Sequence, residues 1–197
     1  MTDTELWRLV DDQRARTAEM FASLARHQWA APSLCDGWTV REVGAHLTLQ
    51  SMGLGRTLRV ALRHPGTINR VIDASSRSAA ARLTTDEIVE RLRRLVGVHR
   101  PNAFTSVDEA LVDAVVHTLD VTEPLGIDAA TSDAAVHAVL DRLAGYHRTG
   151  RTAVFRPVAT DDRRFVASDL SWSWGSGSTV EAPGTTLLLV LSGRRPS

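Results

Sequence analysis

The strongest constraint on the fold is a succession of helical apolar patterns that short turn signals separate. Residues 4–28 carry apolar side chains at helical spacing, and the Ala-Pro-Ser sequence at 31–33 ends that pattern. Three further helices are predicted at about residues 39–63, 84–99 and 106–123. Thr39 stands three residues before Glu42, which is the arrangement of a helix-capping box. Four helices with short connections are typical of a four-helix bundle, which we assign to residues 1–127.

The remaining residues, 128–197, have a different pattern. A fifth helix is predicted after a cap at Thr131 or Ser132. Short strands are predicted at 164–168 and 170–174, with 180–182 able to pair with them, and a last helix at 185–191. Residues 67–82, within the first region, are compatible with a helix or a loop. We therefore expect an α+β fold that is mainly α, with an N-terminal four-helix bundle and a small C-terminal α/β domain.

Composition excludes several classes of protein. The 23 basic and 23 acidic residues balance, so nothing favours a nucleic acid as partner. The longest apolar run, residues 187–191, is far shorter than the roughly 20 residues of a membrane span. The first residues have no apolar signal core, and the one cysteine, Cys35, excludes an internal disulfide framework. We expect a cytoplasmic protein without a membrane partner, a monomer or a homodimer.

An acidic residue precedes a histidine by four positions three times in the chain. On a helix such a pair shares one face, so a carboxylate and an imidazole can reach the same cation. The three pairs are Glu42/His46, Asp113/His117 and Asp133/His137. Three occurrences among seven histidines show that the spacing has little specificity, and a solvated pair explains any one of them equally well.

The surrounding residues separate the three pairs. His46, Asp113 and His117 lie in apolar stretches, so we expect them to be buried, where an unpaired charge is costly. A divalent metal bound by these three side chains would satisfy them and leave an open position, as in catalytic zinc sites. Iron, nickel or manganese would suit the same ligands. Two core histidines hydrogen-bonded to Asp113 would also explain these residues. His137, beside Asp141, is assigned a structural role.

Several segments resemble one known family. Residues 34–47, LCDGWTVREVGAHL, resemble the first signature of the mycothiol-dependent maleylpyruvate isomerase-like proteins, which belong to the DinB-like metal-binding four-helix superfamily. Residues 113–121 and 124–126 resemble the second signature, an acid and a histidine four apart, then Asp and a Pro-Leu-Gly end. Residues 165–172 and 187–194 resemble the family's C-terminal domain, which is small, mixed α/β and sterol-carrier-like. The resemblance covers nearly the whole chain in the right order.

The resemblance implies a site and two cofactors. It implies a divalent metal, typically zinc, on His46, His117 and Asp113, and mycothiol as the thiol cofactor. The family's usual carboxylate is a glutamate, and the aspartate here shortens the reach by roughly 1.5 Å. The family also uses an arginine of the C-terminal domain near the active site, for which Arg194 is the candidate. Arg194 could anchor a substrate carboxylate, and a solvated charge is the alternative.

The implied activity is thiol chemistry on a small electrophilic substrate. A thiolate at the metal could add to a double bond and allow its isomerisation, or displace a leaving group and form a conjugate. Cys35 is not required, and it is either a nucleophile or a small packing residue. Asp120 could orient a neighbour or be a surface acid. The alternative functions are a non-catalytic metal- or small-ligand-binding module on the same fold, and a metal-free structural bundle.

Overall fold

The chain forms a mainly helical fold with one small sheet. The computed structural model describes residues 1–51, 62–63, 66–101, 105–150 and 158–195. The chain divides into two compact units, Met1–Ala130 and Thr131–Ser197. The α+β class with mainly helical content, as predicted from the sequence, is confirmed. Among the helices that the structure describes, none combines the length and the apolar character that a bilayer span requires.

Five α-helices are described in the first unit. They are α1 (Asp3–Ser23), α2 (Val40–Leu47), α3 (Ile68–Arg82), α4 (Thr85–Arg93) and α5 (Val107–Leu125), with a short 3-10 turn at Gln28–Ala30. α1 packs against α4 and α5, while α2 packs against α3, α4 and α5. The core between them consists mostly of aliphatic side chains together with Phe21, Trp29 and Trp38. The segment 67–82, left open between helix and loop, is the helix α3.

Helix α2 is held unusually close to its neighbours. It begins with the predicted capping box, in which the Glu42 carboxylate accepts hydrogen bonds from the Thr39 backbone N–H (2.7 Å) and hydroxyl (3.0 Å). At Gly44, a Cβ atom would lie 2.9 Å from Phe21 Cε1 and 3.2 Å from Ile88 Cγ2. Only glycine therefore allows α2 to approach α1 and α4 at this distance.

Three helices end earlier than the sequence predicted. The first was expected over residues 4–28, but α1 ends at Ser23. The second helix was expected to reach about residue 63, but α2 ends at Leu47, and residues 52–61 lie outside the described residues. Ser51 has a φ of 71°, which is left-handed backbone that a helix cannot continue through. The third helix was expected to reach His99, but α4 ends at Arg93 and is followed by a turn in which Gly97 has a φ of 79°.

Helix α5 ends later than predicted. The sequence predicted a stop before Pro124, yet the helix includes that proline and closes on Gly126 in the left-handed conformation. Because Pro124 has no N–H, the Asp120 carbonyl loses its usual helical partner. The Leu34 N–H donates to that carbonyl instead, at 2.9 Å. This bond fastens the loop before α2 onto α5.

In the second unit, the described residues 131–150 and 158–195 form two helices and the sheet. Its elements are α6 (Asp133–Thr149), β1 (Arg163–Ala167), β2 (Ser173–Gly175), β3 (Ser178–Ala182) and α7 (Gly184–Leu191). The strand order is β2-β1-β3, with β1 antiparallel to β2 and parallel to β3. Ser132 is the cap of α6. The strand predicted at 170–174 begins only at Ser173, because the backbone bends over residues 168–171 and the Trp172 N–H donates to the Leu170 carbonyl within that bend (2.8 Å).

Candidate metal centre

Helices α2 and α5 bring the three predicted ligands together. His46 comes from α2, while Asp113 and His117 stand four residues apart on α5. Asp113 Oδ1 lies 3.3 Å from His46 Nε2 and 3.2 Å from His117 Nε2. Atoms that ligate a tetrahedral zinc at 2.0–2.1 Å are about 3.3 Å apart, so these separations fit a shared ion. We call His46, Asp113 and His117 the candidate cluster.

The tautomer of His46 is fixed by a serine of α3. His46 Nδ1 lies 3.1 Å from Ser76 Oγ, and the Ser76 hydroxyl donates its proton to the Ile72 carbonyl at 2.8 Å. The serine oxygen is therefore the acceptor of a hydrogen bond that His46 Nδ1–H donates. The Nε2 atom of the neutral imidazole, which faces Asp113, carries a lone pair.

A buried carboxylate fixes the tautomer of His117 in the same way. His117 Nδ1 lies 2.8 Å from Oδ2 of Asp120, which is fully buried. Because a carboxylate accepts, His117 donates from Nδ1 and leaves a lone pair on Nε2. Two imidazole nitrogens and Asp113 Oδ1 thus face one another as three acceptors. Such a group is stable only with a cation among them, either a proton or a metal ion.

The charges within the candidate cluster shift two pKa values in opposite directions. Burial alone raises the pKa of the Asp113 carboxyl, but His46 and His117 hold it well below its usual value. Burial lowers the pKa of His117, yet Cys35, Asp113 and Asp120 together raise it well above the usual value. In the absence of a metal, a proton is therefore held where the three acceptors meet.

The candidate cluster is more accessible than the sequence suggested. The side chains of His46, Asp113 and His117 are 15%, 29% and 14% exposed, so these residues, which were expected to be buried, are only partly buried. On α5, Asp113 and His117 share a partly exposed stripe with Glu109, whereas residues 114–116 between them are buried. The apolar neighbours in the sequence belong to other faces of the helix. Part of each of the three side chains is therefore open to solvent.

The ring of Trp38 lies against both imidazoles. The Trp38 ring centroid is 5.3 Å from that of His46 and 6.4 Å from that of His117. Trp38 is 8% exposed, and its Nε1 donates to Asp73 Oδ1 at 2.7 Å. The tryptophan therefore keeps water from one side of the candidate cluster.

Cys35 and Asp120 form a second group around His117. Cys35 Sγ donates to Asp120 Oδ2 at 3.0 Å and lies 3.5 Å from His117 Nδ1. Cys35, His117 and Asp120 are close enough to hold an ion, but they would use the nitrogen that already donates to Asp120. Asp120 thus orients a neighbour, which was one of the two roles considered from the sequence.

The other predicted positions have contacts of their own. Glu42 contacts Thr39 and accepts from Arg77 (2.8 Å), so His46 takes its acidic partner from α5 instead. His137 pairs with Asp141 at 3.3 Å, and about half of its side chain is exposed. The contacts described for Glu42 and His137 thus lead to residues outside the two predicted pairs.

Arg194 belongs to the second compact unit. It follows α7, is partly exposed, and its guanidinium donates to the Ser192 carbonyl at 2.9 Å.

Two contacts of the candidate cluster were missed in the sequence. Ser76 lies in a stretch, 74–81, in which every residue except Arg77 is small; such a stretch is typical of a closely packed helix and could have directed attention to α3. Gln50 donates from Nε2 to Asp113 Oδ2 at 2.7 Å, across 63 residues of sequence. No spacing or motif indicates that contact.

The fold and the candidate cluster together define a class: a helical-bundle protein whose helices present two imidazoles and one carboxylate to a single point. The family model for the mycothiol maleylpyruvate isomerase N-terminal domain matches residues 10–141. The chain belongs to this family, as the sequence resemblance implied.

Two solved structures have a similar fold. One is the crystal structure of the mycothiol-dependent maleylpyruvate isomerase, and the other is a histidine-to-alanine mutant of that enzyme. Each has a TM-score of 0.67 and 11% sequence identity, covering 99% of this chain and 90% of the other. No curated protein sequence matches the chain.

Proposed function

We propose that the chain is a divalent-metal-dependent enzyme that uses a low-molecular-weight thiol, with mycothiol as the candidate cofactor. The reaction would be an isomerisation or a thiol transfer on a small electrophilic substrate. The observation that carries the proposal is the convergence of His46 Nε2, His117 Nε2 and Asp113 Oδ1, each presenting a lone pair. Zinc suits this donor set best, and iron, nickel or manganese would be held by the same atoms.

The number and exposure of the ligands favour a catalytic rather than a structural ion. Structural zinc sites are closed by four protein ligands, whereas catalytic sites use three and keep a position open. The candidate cluster has three side chains, all partly exposed. A thiol that reaches the open position would be held as the thiolate, because a dication favours the deprotonated sulfur.

The residues of this chain would prepare the site in three ways. Ser76 and Asp120 keep the two imidazoles in the tautomer that offers Nε2. Asp113 supplies one negative charge, so a bound dication would keep a net positive charge that attracts an anionic sulfur. Trp38 excludes water from one side of the imidazoles.

A bound thiol could support either of the two proposed reactions, isomerisation or thiol transfer. When bound, a thiol would supply a nucleophile: in isomerisation its reversible addition to a polarised double bond would allow rotation before the same sulfur leaves. In transfer it would form a carbon–sulfur bond while the leaving group departs with its electron pair.

Arg194 is proposed as the residue that anchors a substrate carboxylate. A guanidinium binds a carboxylate through two parallel hydrogen bonds, which lysine cannot reproduce. Arg194→Lys is expected to lower kcat/KM by about 10- to 100-fold, the equivalent of one charged hydrogen bond. The neighbouring Arg195, which is exposed, provides the matched control through Arg195→Lys. Equal kcat/KM values in the two variants would remove Arg194 from the site.

Cobalt substitution tests the proposed function. Thiol titration of the cobalt-loaded protein should change its visible spectrum and add a sulfur-to-cobalt charge-transfer band. His46→Ala should bind no cobalt at this site, whereas the exposed His137→Ala should behave like the wild type. A cobalt spectrum that no thiol changes, mycothiol included, would contradict thiol use and favour a non-catalytic metal-binding module.

A further inference from the structure

A glutamine outside the candidate cluster binds the second oxygen of its carboxylate. Gln50 Nε2 donates to Asp113 Oδ2 at 2.7 Å, and Gln50 is 7% exposed. The other oxygen, Oδ1, faces both imidazole Nε2 atoms. The two oxygens of Asp113 therefore have separate partners.

A buried arginine determines which way the Gln50 amide points. Arg14 Nε donates to Gln50 Oε1 at 3.3 Å. Because a guanidinium only donates, the amide oxygen must face Arg14 and the amide N–H groups must face Asp113. The chain of hydrogen bonds thus runs from Arg14 through Gln50 to Asp113 and has one possible direction.

Arg14 is itself fixed by the turn that follows α4. It is 4% exposed, and its Nη1 donates to the carbonyls of Leu95 (2.9 Å) and Val98 (3.0 Å). Burial lowers the pKa of Arg14, and the negative charge of Asp113 is one of two charges that oppose this effect. Burying an arginine is costly unless its charge is compensated, and Asp11 contributes more to that compensation than Asp113 does.

We propose that Gln50 and Arg14 are positioning residues that restrict Asp113 to binding a metal through Oδ1 alone. This inference rests on the proposed function, since it concerns a ligand of the proposed ion. With Oδ2 held by Gln50, the carboxylate cannot rotate to bind through both oxygens. The coordination position that a second oxygen would take stays available to a thiol.

The arrangement also suits an aspartate in place of the family's usual glutamate. The aspartate has one torsion fewer between the backbone and the carboxylate, so a single hydrogen bond to Oδ2 is enough to orient it. Asp113 would then reach the ion in one defined geometry.

Two buried glutamines provide a matched pair of variants. Gln50→Met keeps the length of the side chain and removes the donor. Gln13→Met is the control, because Gln13 is 1% exposed and donates to Thr17 and Thr118 rather than to the candidate cluster. Gln50→Met should weaken zinc binding about 10- to 100-fold, as is typical for loss of a partner that orients a metal ligand. Gln13→Met should lower thermal stability and leave the zinc Kd unchanged.

Cobalt provides a readout that a merely structural role would not change. If the freed carboxylate binds through both oxygens, the absorption of cobalt-loaded Gln50→Met should lose the intensity of a four-coordinate ion. Gln13→Met should retain the wild-type spectrum. Gln50→Asn keeps the amide group but moves it one methylene away from Asp113, so it should behave like Gln50→Met. It serves as the test variant if Gln50→Met does not fold.

Nuclear magnetic resonance tests the hydrogen bond in the metal-free protein. One side-chain amide proton of Gln50 should be shifted downfield and exchange slowly, and both properties should disappear in Asp113→Ala. If the Gln50 side-chain amide had the chemical shift and exchange rate of an exposed amide, the inference would be overturned whatever the zinc Kd of the variants. Zinc binding by wild type with an equal Kd in Gln50→Met would overturn this inference alone, whereas no zinc binding by wild type would overturn the proposed function and this inference with it.

Discussion

The close approach of α2 makes Gly44 the most informative position for a stability test. In Gly44→Ala, the new Cβ would lie 2.9 Å from Phe21 Cε1 and 3.2 Å from Ile88 Cγ2. Carbon atoms in good contact are about 3.5–4.0 Å apart, and both neighbours are fully buried, so neither side chain can move into free space. Such overpacking costs about 1–3 kcal/mol.

Helix propensity opposes this cost, and the difference sets the expected result. Alanine is better than glycine inside a helix by up to about 1 kcal/mol. The net loss is therefore up to about 2 kcal/mol, which corresponds to a fall in Tm of up to about 8 °C for a chain of this size. Because His46 stands on the same helix, Gly44→Ala should also weaken zinc binding.

A second helical glycine provides the control. Gly145 lies in α6, and a Cβ atom there would have no neighbour within 4 Å. Gly145→Ala should therefore raise the free energy of unfolding by up to about 1 kcal/mol and leave zinc binding unchanged. Urea unfolding of the two metal-free variants measures both changes in the free energy of unfolding. If Gly44→Ala raised the free energy of unfolding as much as Gly145→Ala does, the close packing of α2 would be refuted.

Two further predictions concern the partners of His117. Asp120→Asn keeps the shape of the side chain and removes the charge that accepts from His117 Nδ1, so the zinc Kd measured by chelator competition should rise about 10- to 100-fold. An unchanged Kd would exclude Asp120 from this role. Zinc must displace the proton that His117 binds, and because the pKa of His117 is raised, zinc binding should weaken about tenfold per pH unit for each displaced proton as the pH falls below that pKa. A Kd that stays constant below that pKa would show that zinc binds elsewhere.

Local signals in the sequence were sufficient where one segment determines its own structure. The capping box of Thr84 and Glu87, like that of Thr39 and Glu42, depends on residues three apart, and the structure shows both sets of hydrogen bonds. Helix ends were less predictable because tertiary contacts decide them. The passage of α5 through Pro124 depends on Leu34, which is distant in sequence and supplies the missing hydrogen-bond donor.

The same distinction applies to the candidate cluster. The ligand types and the i, i+4 spacing of Asp113 and His117 were visible in the sequence. Their partial exposure was not, because an apolar stretch of α5 does not show which face is open. Gln50 and Ser76 were missed because their contacts with the candidate cluster join helices and turns that are far apart in the sequence.

Metal content tests the central claim most directly. Tag-free protein is loaded with zinc, passed over a desalting column and analysed for metal, with His46→Ala, Asp113→Ala and the exposed His137→Ala beside the wild type. We predict about one ion per chain in the wild type and in His137→Ala, as three-ligand sites hold, and little in the other two. A wild type that retains no metal after loading, or variants of His46 and Asp113 that retain as much as the wild type, would contradict the account.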